Sequence, residues 1–428
     1  MHPEKSSTIK KNRKEFMMSL NRRNFLHTVG VSALGASVAL TFAEDGNKPL
    51  ADWQEGWLDI HHIATGMGNA AYIICPDGTT MLIDAGELDR SGISRMPPVP
   101  NDSKTAGQWI ADYIRRFSKS FQQAPMLDYV LLTHFHNDHI GSKRPGTPQA
   151  NGYALSGISM VAEHVGIKKI VDRGYPNYEF PSRAAVVGSN SSYFNEYLNF
   201  VEYQRQARKT TVECFVPGSN AQFVLNNNPS KHAFNVQNIH VNGKIWTGEG
   251  TNTETIFTEA DKPDENRCST SLKLTYGGFK YYSGGDTPGA PGRDVETSIS
   301  ERVGQVDAMI MNHHAQTDTT NVHFLGKLRP QVMVIPTWDL WHPHPVTMSR
   351  MVDKTIYPDD RQIFTTGMYQ GIRDNLGEAV KNINSFWGHV VIRAYEDGKT
   401  FQVFVLDAKH GTFAAQYSTE LLTTKSEG

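Results

Sequence analysis

A chain of 428 residues, 39% hydrophobic and 20% charged with a formal net charge of −2, has the composition of an ordinary globular protein with ample material for a buried core. Near-neutral charge excludes a global basic field for gripping nucleic acid, though it leaves a local basic groove open. Three cysteines, Cys75, Cys214 and Cys268, are too few and too scattered for a zinc knuckle or a disulfide scaffold, and allow at most one disulfide.

In chain order, Asn21-Arg22-Arg23-Asn24-Phe25-Leu26-His27 resembles a twin-arginine export signal. The apolar stretch from Val29 to Phe42 that follows is shorter than the roughly 20 residues a membrane span needs. Ala43 before Glu44-Asp45 offers a cleavage point, so residues 1–43 are expected to be a signal peptide. A cytosolic amphipathic helix or an uncleaved anchor is the alternative. Export implies a periplasmic or extracellular protein that uses the twin-arginine machinery, with no stable membrane span after cleavage.

Residues 44–428 then read as one large domain. Apolar runs and alternation predict strands over 57–63, 70–76, 79–84, 128–133, 168–171, 212–216, 235–242, 270–276, 278–284, 307–311, 331–336, 361–365, 388–394 and 400–406. Helical spacing predicts helices near 104–118, 155–165, 191–208, 294–303, 320–328 and 346–354. Strands arrive in runs separated by helices, without strict βαβ alternation, which fits two packed sheets with helices outside. Residues 173–210 read as an insertion. Arg173, Tyr175 and Tyr178 in its first loop are candidates for a cleft wall, because binding residues concentrate on loops held by a scaffold. The stripe Tyr193, Tyr197 and Phe200 is expected to pack its helix onto the body.

One stretch carries chemistry. The buried run Tyr129-Val130-Leu131-Leu132 empties into His134-Phe135-His136-Asn137-Asp138-His139, four metal ligands within six residues, followed by Ile140-Gly141. Imidazole and carboxylate together suit zinc, iron or manganese. Ligands so close in sequence cannot easily wrap one ion, but they offer two adjacent half-sites. Metals about 3.5–4 Å apart can activate a water and stabilise an oxyanion.

The order H-x-H-x-D-H after a strand resembles the metallo-β-lactamase superfamily, and three further pieces of its pattern, one upstream and two downstream, appear in order along the chain. Thr80-Met81-Leu82-Ile83-Asp84-Ala85-Gly86 looks like the strand ending in a carboxylate beside the metal loop. Phe279-Lys280-Tyr281-Tyr282-Ser283-Gly284-Gly285-Asp286 looks like the strand that delivers a bridging aspartate, and Val306 to His314 like the last ligand-bearing strand. The resemblance implies an α/β fold, an αββα four-layer sandwich with the metals at one edge. Gly285-Asp286 followed within thirty residues by His313-His314 looks like the branch of competence-type DNA-uptake hydrolase domains and secreted phosphorylcholine esterases, echoed by Gly66-Met67-Gly68 and by Asn266-Arg267-Cys268-Ser269-Thr270-Ser271-Leu272. Asn69 stands where competence-type sequences carry an aspartate, and Ala315 where they carry a glycine.

The site implied by that resemblance has His134 and His136 on one ion, Asp138, His139 and His314 on the other, and Asp286 bridging both. Asp138 also counts with His344 as a catalytic candidate. The ions are two divalent cations, zinc first, with manganese or iron as alternatives. A water shared between them would drop from a pKa of about 15.7 towards about 7 and attack the substrate. Asp84 is expected to orient a ligand or the motif loop. His164, His232 and His240 are the candidates for the superfamily's further histidine, and each reads more readily as structural or solvated. On a strand only one of His313 and His314 could face the metals, and the resemblance points to His314. Trp338-Asp339-Leu340-Trp341-His342-Pro343-His344-Pro345 forms a rigid turn in which His344 is the proton-donor or phosphate-contact candidate.

The function expected is an exported dinuclear-metal hydrolase, a phosphodiesterase acting on a small or polymeric phosphodiester through a metal-bound hydroxide. The alternatives are a lactam or lactone hydrolase, and a non-catalytic metal-binding exported protein.

Overall fold

Strands as apolar as Met126–Leu131 and Val332–Ile335 are buried on both faces, and such strands need a layer above and a layer below. The computed structural model, which describes residues 48–88, 96–143 and 146–425, supplies those layers as an α/β sandwich of two sheets between two layers of helices. The expected export signal at 1–43 lies outside the described residues. All described residues fall in one compact unit, Phe42–Gly428.

The first sheet runs in the order Ala415–Ser418, Thr400–Leu406, His389–Ala394, Leu58–His62, Ala71–Ile74, Thr80–Ile83, Met126–Leu131, Gly166–Asp172 and Thr211–Cys214. Its early strands pair antiparallel, but from Thr80–Ile83 onward the pairing is parallel. The second sheet repeats the plan: Thr253–Thr255, Lys244–Trp246, Phe234–Val241, Ser271–Tyr276, Phe279–Ser283, Ala308–Ile310, Val332–Ile335, Gln362–Thr365 and Ile383–Ser385. It too turns parallel half way, at Phe279–Ser283.

Three cores follow from period-two side-chain alternation. Leu82, Val130 and Ile170 of the first sheet pack against Ile110, Ile114, Phe194 and Phe200 from helices Ala106–Ser118 and Arg183–Tyr203. Met81, Ile83 and Leu131 face the other way and meet Leu272, Tyr281, Ile310 and Val334 of the second sheet. Met309, Met333 and Ile335 on that sheet's far side carry Ile299, Leu325 and Met348 from the outer helices. Each such side chain contributes about 1.5–3 kcal/mol of burial. Helix Ala106–Ser118 starts where Thr105 and Gln108 cap each other reciprocally, which satisfies two backbone donors that the first turn leaves over.

Three expectations need correction. Arg173 and Tyr178 do not wall a cleft, because both are buried, and only Tyr175 of the three is half-exposed. The helix expected from 191 begins at Arg183, where Ser182 caps it by accepting the Ala185 N–H. His313 and His314 are not on a strand: the strand ends at Ile310 and both histidines lie in a tight 3₁₀ turn. As expected for its helix, Tyr197 and Phe200 are core residues. The three cysteines are free thiols.

Candidate metal centre

Ligand sites in sheets of this kind form beyond the carboxyl ends of parallel strands. Here the strands Thr80–Ile83, Met126–Leu131, Phe279–Ser283, Ala308–Ile310 and Val332–Ile335 are followed, in turn, by Asp84, the 134–139 motif, Asp286, His314 and Trp338. Parallel pairing within each sheet sends these segments out at the same edge.

The motif loop is held from behind. Asp84 adopts a left-handed backbone (φ 60°) and turns its carboxylate under the loop. It accepts the Thr133 N–H at 2.8 Å, the Thr133 hydroxyl at 2.9 Å and the Asn69 amide at 3.0 Å. His139 Nδ1 lies 2.7 Å from the same carboxylate. The loop then closes in the short helix Asn137–Ile140, pressed so tightly on Gly86 that a Cβ there would stand 1.7 Å from the Asp138 carbonyl oxygen. Gly86 therefore has to be glycine.

Two groups of potential ligand atoms result, Asp138, His139, Asp286 and His314 in one and His134, His136 and Asp286 in the other, with Asp286 common to both. His134 Nε2 faces His136 Nδ1 at 3.0 Å and Asp286 Oδ2 at 3.6 Å. On the other side His139 Nε2 stands 3.2 Å from Asp286 Oδ1 and 3.5 Å from Asp138 Oδ2. His314 Nε2 stands 3.0 Å from Asp138 Oδ2 and 3.7 Å from Asp286 Oδ1.

These donors fit cations on chemical grounds. His314 Nδ1 points at the Pro336 carbonyl at 2.9 Å, and a carbonyl only accepts, so the ring proton sits on Nδ1 and Nε2 offers a lone pair. Asp84 fixes His139 in the same tautomer, and its buried Nε2 has no hydrogen-bond partner. Lone pairs and carboxylate oxygens thus converge, and convergence of acceptors requires positive charge between them. Burial opposes a charged ring at His139, yet Asp286, Asp138 and Asp84 carry its pKa well above the usual histidine value. Burial would raise Asp138 and Asp286, but the surrounding histidines, His139 foremost, hold both well below the usual carboxylate range. At His134 burial and the neighbouring His139 push the pKa down, leaving a neutral ring suited to a ligand.

The turn that brings in His314 is strained. His313, His314 and Ala315 are consecutively left-handed (φ 43°, 53° and 60°), a conformation that costs L-residues energy and concentrates at functional sites. One consequence was not legible from strand geometry: both histidines face the cluster. His313 Nε2 approaches Asp286 Oδ2 at 3.8 Å, while its Nδ1 pairs with Asp318 at 2.8 Å. Burial works against its charged form, but Asp286 and Asp318 lift its pKa to about 9.

The 338–345 turn also differs from the expectation that His344 serves the site. His344 caps helix Pro345–Val352 through Nδ1, which accepts the Val346 N–H, and its ring stacks on Trp341. Among the described residues it is His342, buried and stacked on His314 at 4.7 Å, that packs on a donor. Burial, reinforced by His314, pushes the His342 pKa well down, so this ring is neutral. Trp338 completes the wall, with its indole N–H directed at His314 Nε2 at 3.2 Å. The prolines that mark this turn in the sequence do not reveal which histidine points inward.

None of His164, His232 and His240 belongs to either donor group. His164 is exposed, His232 packs near Tyr276, and His240 is buried between the Ser269 carbonyl and the Gly243 N–H. The half-site of His134 and His136 therefore has fewer donors than its neighbour.

Residues 64–142 match the sequence pattern of the metallo-beta-lactamase superfamily. Among solved structures, similarity extends to a metallo-beta-lactamase from Cronobacter sakazakii (Enterobacter sakazakii), a HARLDQ motif mutant. It is 17% identical with TM-score 0.30, over 61% of this chain and 78% of that one. Human tRNase Z, short form, is 11% identical with TM-score 0.29, over 64% of this chain and 91% of that one. No curated protein matches the sequence.

Proposed function

We propose that this chain, which carries a metallo-β-lactamase superfamily domain, is an exported two-metal hydrolase of phosphodiesters. The observation that supports it most is the pair of donor groups sharing the single carboxylate of Asp286. His134, His136 and Asp286 would hold one divalent cation, and Asp138, His139, His314 and Asp286 the other, with zinc the first choice for such a nitrogen and oxygen set. When bound, such ions lower the pKa of a water and stabilise negative charge developing on the substrate.

The chain's own residues prepare that chemistry. Asp84 and the Pro336 carbonyl keep the His139 and His314 protons on Nδ1, so both Nε2 lone pairs stay turned inward. His342 covers one face of His314 and keeps water from it. The donor-poor side at His134 and His136 leaves room for a second substrate oxygen, which a phosphodiester has and a lactam carbonyl lacks. Export rests on Arg22-Arg23 and the apolar stretch after them, and with it a periplasmic or extracellular location.

The test is the zinc- or manganese-loaded protein assayed against bis-p-nitrophenyl phosphate, a cephalosporin and a lactone. Turnover of the phosphodiester with little of the others is expected, with inorganic phosphate inhibiting. Fast cephalosporin or lactone hydrolysis without phosphodiester turnover would transfer the protein to the acyl hydrolases. No turnover despite bound metal would favour a non-catalytic metal-binding role.

A further inference from the structure

Arg173 and Glu265 form an ion pair whose side chains are only 1% and 5% exposed, far from the solvated surface where most charged residues lie. The pair is bidentate, Nε to Oε1 at 2.7 Å and Nη2 to Oε2 at 2.5 Å. Burying two charges is costly, and it is tolerated only when both ions are fully bonded. Both are. The guanidinium gives its remaining bonds to the Phe180 carbonyl at 3.1 Å and to Asn242 Oδ1 at 3.0 Å, while Asn242 returns a bond to the Arg173 carbonyl at 2.7 Å. Glu265 spends its Oε1 on one more donor, the backbone N–H of Phe135 at 2.8 Å.

Phe135 is the residue between His134 and His136. Its N–H is taken by Glu265, and its ring lies under the Arg173 guanidinium at 4.6 Å and against Tyr178, Phe194 and Tyr197. Fixing a residue by its backbone and its ring restrains the rotation of the peptide units on either side. Those units set the directions in which His134 and His136 leave the chain. Arg173 follows the first-sheet strand Gly166–Asp172, whereas Glu265 precedes the second-sheet strand Ser271–Tyr276. The pair therefore ties both sheets to the middle of the histidine motif. The other half-site has a separate support, Asp84 behind His139 and Pro336 behind His314.

We infer that the Arg173–Glu265 pair is the positioning element of the His134–His136 half-site, setting that half-site's cation affinity without touching substrate. This rests on the metal-centre reading above. A merely structural ion pair would change the stability of the metal-free fold and leave the distribution of ions between half-sites alone.

The experiment uses the mature protein, Arg173→Lys, and the paired Arg173→Met with Glu265→Leu, which leaves no unpaired buried charge. Zinc stoichiometry is measured by elemental analysis after equilibration at graded free zinc. Cobalt absorption separates the two half-sites, and melting of the chelator-treated protein reports the fold. In the variants one ion should stay at parental affinity and the other should weaken by about 10- to 100-fold. Two ions at parental affinity, or equal weakening of both, would overturn the inference. If the paired variant does not fold, Arg173→Lys decides by the same criterion, because it keeps the charge and loses the fork. Failure of the underlying reading looks different: the parent itself would take up fewer than two ions, and the inference would fall with it.

Discussion

Replacing Asp84 by asparagine changes the tautomer that His139 presents to the cation site. Asp84 Oδ1 accepts the Thr133 N–H, and Oδ2 takes the Thr133 hydroxyl, the Asn69 amide and His139 Nδ1. An asparagine that keeps its oxygen toward the Thr133 N–H turns an NH₂ group toward the other three. The Thr133 hydroxyl can rotate and accept, and Asn69 can flip to present its oxygen, which has no partner now. His139 can adapt only by giving up the Nδ1 proton, which moves to Nε2 and blocks the lone pair between Asp138 and Asp286. Loss of such a supporting contact costs about 10- to 100-fold in metal affinity, or about 1.4–2.7 kcal/mol. The effect should concentrate on the Asp138–His139–His314 half-site. Zinc titration against a competing chelator measures it, and nitrogen-15 NMR of the histidine rings in the zinc-saturated protein shows which nitrogen of His139 carries the proton. Unchanged zinc affinity, or an Asp84→Asn protein whose His139 proton still sits on Nδ1, would refute the reasoning.

Further perturbations separate the parts of the account. His314→Ala should lower phosphodiester turnover far more than His313→Ala, and the reverse order in a kinetic comparison would reassign the donor. Burial raises the Glu296 pKa from 4.5 to about 7, against the lowering effect of the Asn321 and Thr320 N–H groups and the Asn312 amide. The folded protein then holds a proton that the unfolded chain has released, so stability falls as pH rises from 4.5 to about 7. Urea midpoints of metal-free protein should show that slope reduced in Glu296→Gln, and identical slopes would contradict the assignment. Arg22→Lys with Arg23→Lys should hold the precursor in the cytoplasm, and fractionation finding parental amounts of mature protein outside the inner membrane would end the twin-arginine reading.

The strands that carry the site were legible because they are buried on both faces and written almost entirely in apolar residues, as in Met126–Leu131 and Val332–Ile335. The motif at 134–139 was legible because its four ligands fall within six positions of one short segment. What escaped were features set by tertiary contact. Nothing local distinguishes His342 from His344, since a proline follows each, and only packing against His314 turns the first inward. Arg173 looked like a loop cation because its partner, Glu265, is 92 residues away in the chain. The left-handed run at 313–315 contains no glycine to announce it, so strand alternation was carried one turn too far and hid the approach of His313 to Asp286. The strand Ala415–Ser418 is short and half-exposed, with little of the apolar pattern that marks a buried strand.

The central claim is that Asp286 lies between two cation sites. Zinc-loaded crystals measured on both sides of the zinc absorption edge test it most directly. Two anomalous peaks are expected, one among His134, His136 and Asp286 and one among Asp138, His139, His314 and Asp286. A single peak, or zinc located only at other residues, would contradict the account.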